Sequence, residues 1–105
     1  MGASLAAEHL HVNEEELVRL CLKWRITELA LFGSVLRQDF KPGSDVDVLV
    51  TFAREAPWSL WDIVTLQAEL AQLFGRRVDL LEKQAIRNPF IRREVLTTQV
   101  VIYAA

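Results

Sequence analysis

The sequence predicts an α/β domain in which helices flank a small mixed β-sheet. Three observations predict it. The runs 26–32 (ITELALF) and 45–52 (DVDVLVTF) are apolar or β-branched and too short for typical helices. The stretches 14–23 and 60–74 repeat apolar residues at helical spacing, each behind a capping signal. The two kinds of segment alternate along the chain, the order that lays helices on a sheet.

Residues 1–12 carry few structural signals and are expected to be only partly ordered. Asn13 is a helix N-cap, and Glu14, Glu15 and Glu16 suit the positive end of the helix dipole. Val12 and Leu17 stand where a hydrophobic staple would fix the entry. This helix should end near Lys23. Strand 26–32 follows, mostly buried and stopped by Gly33. Residues 34–39 suggest a short helix, and Lys41-Pro42-Gly43-Ser44 a turn. Strand 45–52 is the clearest in the chain. Ser59 and Asp62 resemble a capping box for a helix carrying Leu60, Ile63, Val64, Leu70, Leu73 and Phe74, which Gly75 should close. Arg77–Glu82 (RVDLLE) reads as a third strand. Asn88-Pro89 opens a last helix, and Val100–Tyr103 adds a final strand.

The 105 residues fit one domain, taken as 1–105, with about half of them apolar. The net charge of −2 argues against a protein whose main task is gripping nucleic-acid backbone, so no direct nucleic-acid binding is expected. A nucleotide ligand is still compatible, because one phosphate site needs only local charge and a metal. No apolar run approaches the roughly 20 residues of a membrane span, and the first residues lack the pattern of a signal peptide. No membrane partner is expected, and a cytoplasmic location is. Cys21, the single cysteine, sits in an apolar helical pattern and reads as a small buried hydrophobe.

One constellation carries chemistry: Gly33-Ser34, ten residues, then Asp45-Val46-Asp47. Strand alternation puts Asp45 and Asp47 on one side, about 6–7 Å apart, with Val46 and Val48 turned to the core. Two acids on one face of an apolar strand repel each other unless a cation lies between them, and a hard divalent metal suits oxygen ligands. Gly33 permits close backbone approach, and a helix starting at Ser34 offers N–H groups to a phosphate. Arg37 adds a fixed positive charge, and Ser44 is a lesser candidate for the same nucleotide site. Asp79 is a third acid inside an apolar strand. If that strand lies beside 45–52, its carboxylate joins the same face and can take a proton from an attacking hydroxyl. A phosphate cradle beside paired acids is what phosphoryl or nucleotidyl transfer requires.

The segment GSVLRQDFKPGSDVDVLV resembles the signature of the DNA polymerase β-like nucleotidyltransferase superfamily: Gly-Ser, a spacer, Asp-x-Asp, and a third acid on a later strand. The match covers Gly33, Ser34, Asp45, Asp47 and Asp79 and departs at Gln38, where glycine is frequent. At this length the chain is similar to the minimal nucleotidyltransferases (MNT proteins). The resemblance implies their polymerase β-like fold and metal-dependent transfer of AMP from ATP. Asp45, Asp47 and Asp79 would hold Mg²⁺, two ions in the usual arrangement. It also implies an antitoxin that modifies a tyrosine of a HEPN-type ribonuclease toxin, with which it would form a hetero-oligomer.

Other roles stand beside these. Asp45 could cap the preceding turn, Asp79 could pair with Arg76 or Arg77, and Arg37 with Asp39. Ser44 fits a turn residue better than a metal-shell contact. His9 and His11 read as solvated. Arg87, Arg92 and Arg93 read as a solvated basic face, and Trp58 and Trp61 as core residues. Two other functions compete: a catalytically silent antitoxin that acts by binding alone, and a nucleotidyltransferase for a small molecule. The intact acid triad favours catalysis, and the lack of room for an acceptor-binding domain favours a macromolecular acceptor.

Overall fold

The computed structural model describes residues 12–33 and 45–105. The helix read at 34–39, the turn at 41–44, Ser34, Arg37, Ser44, His9 and His11 lie outside the described residues. Helix α1 (Glu14–Lys23) leads into strand β1 (Ile26–Phe32). Strand β2 (Val46–Phe52), helix α2 (Leu60–Phe74) and strand β3 (Val78–Glu82) follow. A 3₁₀ turn (Lys83–Ala85), helix α3 (Pro89–Thr98) and strand β4 (Val100–Ala104) complete the order. β2 and β3 each begin one residue later than the apolar runs suggest, so Asp45 and Arg77 precede their strands.

The capping chemistry sets the helix limits. The Asn13 side chain accepts the Glu16 N–H at 3.1 Å. Ser59 and Asp62 form a reciprocal capping box, and Gly75 ends α2 in the left-handed region at φ 69°. Asn88 accepts the N–H groups of Phe90 and Ile91, with Pro89 in the first turn of α3.

The sheet order is β3-β2-β1-β4. β1 pairs antiparallel with both β2 and β4, whereas β2 and β3 run parallel. One face carries the main core: Leu29 and Leu31 of β1 and Val46, Val48 and Val50 of β2, packed with Leu17 and Cys21 of α1 and Leu66, Leu70 and Phe74 of α2. A smaller cluster joins Ala30 and Leu49 to Ile86 and to Val95 of α3. Strand alternation assigns it to the opposite face. Among the described residues, no helix is long and apolar enough to cross a membrane.

Two expectations about α2 need correction. Leu60 and Val64 share the helical period but are exposed, and Leu66 does the buried packing. Trp61 is 79% exposed rather than in the core. It lies one position after the N-terminal residue of α2, before the helix reaches the sheet. Trp58 packs edge-on against Trp24 at 4.9 Å and donates its indole N–H to the Trp24 carbonyl at 2.7 Å.

Cys21 is fully buried, and burial pushes its thiol up to about 12. The thiolate is the reactive form. We expect Cys21 to resist a thiol reagent at pH 8 in the native protein and to react promptly in denaturant. Fast native labelling would contradict the packing.

Glu69 of α2 ties the two helices together. Its carboxylate accepts the Trp24 indole N–H at 2.9 Å and pairs with Lys23 at 3.0 Å. Burial pushes its pKa up, but the bonds from Trp24 and Lys23 and the Lys23 charge outweigh that and lower it below 4.5. A depressed carboxyl contributes stability above its unfolded value and loses it as pH falls through the folded one. The melting temperature should therefore fall less steeply below pH 4.5 in Glu69→Gln than in the wild type. Equal slopes would rule this pair out as an acid-sensitive contact.

Candidate active site

Three strands end or begin together at one edge of the sheet. Pairing aligns Phe32 of β1 with Asp47 of β2, and Asp47 with Asp79 of β3. The two acids are thus direct neighbours across a parallel pair, where strands lie about 4.8 Å apart. Asp47 sits between Val46 and Val48, both fully buried in the main core. Alternation turns its carboxylate to the opposite face, where it is half-buried. Asp79 follows the same logic between Val78 and Leu80, which face the main core, and it is exposed at the sheet edge. β3 thus adjoins β2, with Asp79 in register with Asp47 and on the same face.

Asp45 lies two residues before Asp47. Its carboxylate meets the Arg77 guanidinium, Nε to Oδ1, at 3.1 Å. The Val46 N–H donates to the Arg77 carbonyl at 2.9 Å, which fixes the two chain entries side by side. Arg77, one of the two partners read for Asp79, turns instead to Asp45. Asp45, Arg77 and Asp79 line an open depression of about 440 Å³ together with Val64, Gln67 and Ala71 of α2.

Gly33 follows Phe32 directly and has φ +75°. A Cβ there would overlap Asp47 Oδ2 and lie 3.2 Å from Asp47 Cγ. The glycine is thus required both by the backbone conformation and by the carboxylate beside it. Sequence reasoning related this glycine to ligand approach; the neighbour that demands it is Asp47.

Whether these residues suit a divalent cation can be judged from the donors. All are hard carboxylate oxygens, two of them adjacent on one face, as Mg²⁺ prefers. Among the described residues, no three ligating side chains are already gathered around one point. Asp45 engages Arg77. The donor set fits the ion, with Asp45 needing to turn from Arg77 to complete it.

Two contacts escaped the sequence. Gln67 Oε1 accepts the Leu80 N–H at 3.2 Å, so α2 caps the outer edge of β3 beside Asp79. Nothing but the eventual helix–strand contact marks that glutamine. Arg92 is not solvated as expected: its Nη1 donates to the Lys83 carbonyl at 2.8 Å and anchors α3 to the turn after β3. Arg87 and Arg93 are exposed.

A mixed sheet thus brings paired acids to its strand ends, beside a glycine that gives way to one of them. The family described as nucleotidyltransferase domain matches residues 15–101, and the chain belongs to that family. It is 39% identical over 66 residues to protein adenylyltransferase MntA of Thermococcus cleftensis, covering 63% of this chain and 65% of that one. Its fold matches that of a toxin–antitoxin solved with AMP-PNP, with a TM-score of 0.70 at 21% identity, over 90% of this chain and 75% of the other. It also matches a structure of a tri-AMPylated Shewanella oneidensis HEPN toxin in complex with its MNT antitoxin. There the TM-score is 0.60 at 19% identity, over 88% of this chain and 70% of the other.

Proposed function

We propose that this protein transfers AMP from ATP to a hydroxyl of a partner protein, and that the partner is a HEPN-type toxin which it neutralises as an antitoxin. The observation that carries the reading is the in-register pair Asp47–Asp79 with Asp45 beside it. Similarity to a named protein adenylyltransferase and to the MNT partner of an AMPylated toxin supports the choice of donor and acceptor. The AMP-PNP in a related fold supports ATP as the nucleotide.

Asp45 and Asp47 would hold Mg²⁺ against the triphosphate, and Asp79 would share a second ion. Bound there, the ions would neutralise charge on the phosphates and the leaving pyrophosphate. Asp79, at the open edge, would orient the acceptor hydroxyl and take its proton. The acceptor oxygen bonds to the α-phosphorus as the bond to pyrophosphate breaks. In-line positioning and charge neutralisation supply most of the rate. Ser34, Arg37 and Ser44 remain proposed nucleotide contacts. Tyrosine is the proposed acceptor residue, and the cytoplasm the proposed compartment.

Exposed Leu60 and Trp61 of α2 and Phe90 of α3, each more than 70% accessible, favour a protein as the acceptor. The test is direct. Incubated with ATP, Mg²⁺ and its cognate partner, the protein should add one or more AMP masses to that partner, read by intact-mass spectrometry, and release pyrophosphate. A partner that stays unmodified yet is fully inhibited by both the wild type and Asp45→Asn/Asp47→Asn would replace this reading with neutralisation by contact alone.

A further inference from the structure

Asp45, Asp47, Arg77 and Asp79 form a two-by-two array where the chain enters β2 and β3. The β2–β3 register places Asp47 opposite Asp79, and the Val46-to-Arg77 backbone bond places Asp45 opposite Arg77. Asp47 and Asp79 share the face opposite the main core, while Asp45 and Arg77, just before their strands, line a depression beside α2 together with Asp79. Three corners are carboxylates and the fourth is a guanidinium. Carboxylates on neighbouring chain entries repel one another, and Arg77 sets a positive charge 3.1 Å from Asp45. That ion pair is loose: the Arg77 side chain is 83% exposed and Asp45 50%. Exposed pairs hold weakly, so either partner leaves readily for a better one.

We propose that Arg77 is a two-position cation: it rests on Asp45 in the empty site and moves to the phosphate oxygens of the nucleotide when Asp45 is taken up by a divalent ion. The inference rests on the adenylyltransferase reading and adds a positioning residue to it. A divalent ion outcompetes a single guanidinium for Asp45. The displaced Arg77 then stands in the same depression as Asp79, at the rim of the site. Its planar fork suits phosphate oxygens, with which it makes stronger bonds than with an exposed carboxylate. The resting pair would thus keep the acids from repelling one another without blocking the metal. The released cation would tie metal binding to nucleotide binding.

The consequence is a pair of effects of opposite sign, which a merely structural residue would not give. Arg77→Met should bind Mn²⁺ alone about threefold more tightly than the wild type, because the Arg77 guanidinium no longer competes for Asp45. It should bind AMP-PNP with Mg²⁺ about tenfold or more weakly, because a phosphate contact is lost. Arg77→Lys should recover part of the nucleotide affinity. Electron paramagnetic resonance reads the first affinity and calorimetry the second, neither needing turnover. If both affinities fall together in Arg77→Met, or either stays unchanged, while the wild type binds metal and nucleotide, this proposal fails and the adenylyltransferase reading stands. If the wild type binds neither probe, the adenylyltransferase reading itself fails.

Discussion

Asp47→Asn should reduce AMP transfer by about a thousandfold or more, with little change in melting temperature. The rate estimate follows from charge stabilisation worth several kcal/mol at a metal-bound phosphate, at 1.36 kcal/mol per tenfold. The stability estimate follows from position. Asp47 faces away from the main core, and its strand is held by Val46, Val48 and Val50, all fully buried. Asp79→Asn separates the roles. With its edge position it should leave nucleotide affinity nearly normal while transfer falls steeply, since the acceptor proton then lacks its base. Transfer by Asp47→Asn within tenfold of the wild type, measured on the partner by intact mass, would remove Asp47 from the metal site.

The strands and caps were legible because local chemistry dictates them. Asn13, Ser59, Gly75 and Asn88 each satisfy or end a helix through atoms within a few residues, and a linear reading finds such contacts. The alternation around Asp47 was equally legible, because a period of two follows from the pleat alone. What sequence left open was which strand lay beside which. The Asp47–Asp79 adjacency depends on a parallel crossover through α2, a long-range fact that only the fold decides. The same holds for the Arg77–Asp45 pair, which joins the entries to two separate strands. Trp61 misled for the opposite reason. Tryptophan near a helix start suggests burial, yet its position on the first turn of α2 leaves it outside the sheet contact. Leu66 was passed over although it lies on the buried face with Leu70.

Among the described residues two glycines have left-handed backbones, and comparing them offers the second large effect. Gly33 has φ +75° and Gly75 has φ +69°, so an L-residue at either meets a similar backbone cost of about 1–2 kcal/mol. At Gly75 a Cβ would have nothing within 4 Å, and Gly75→Ala should lose about that amount. At Gly33 the Cβ would collide with the Asp47 carboxylate, adding an overpacking cost of about 1–3 kcal/mol. Gly33→Ala should therefore melt below Gly75→Ala, and Gly33→Val, β-branched in the left-handed region, lower still. Function should divide more sharply than stability. Gly33→Ala must displace Asp47, so its nucleotide affinity and transfer rate should fall by about tenfold or more even where the protein is fully folded. A Cβ at Gly75 touches nothing within 4 Å and leaves Asp47 where it is, so Gly75→Ala should keep both. Thermal melts paired with calorimetric titration of AMP-PNP and Mg²⁺ check this. Equal nucleotide affinity in the two alanine variants would mean that Asp47 tolerates displacement, and the metal site would then have to be built on Asp45 and Asp79 without it.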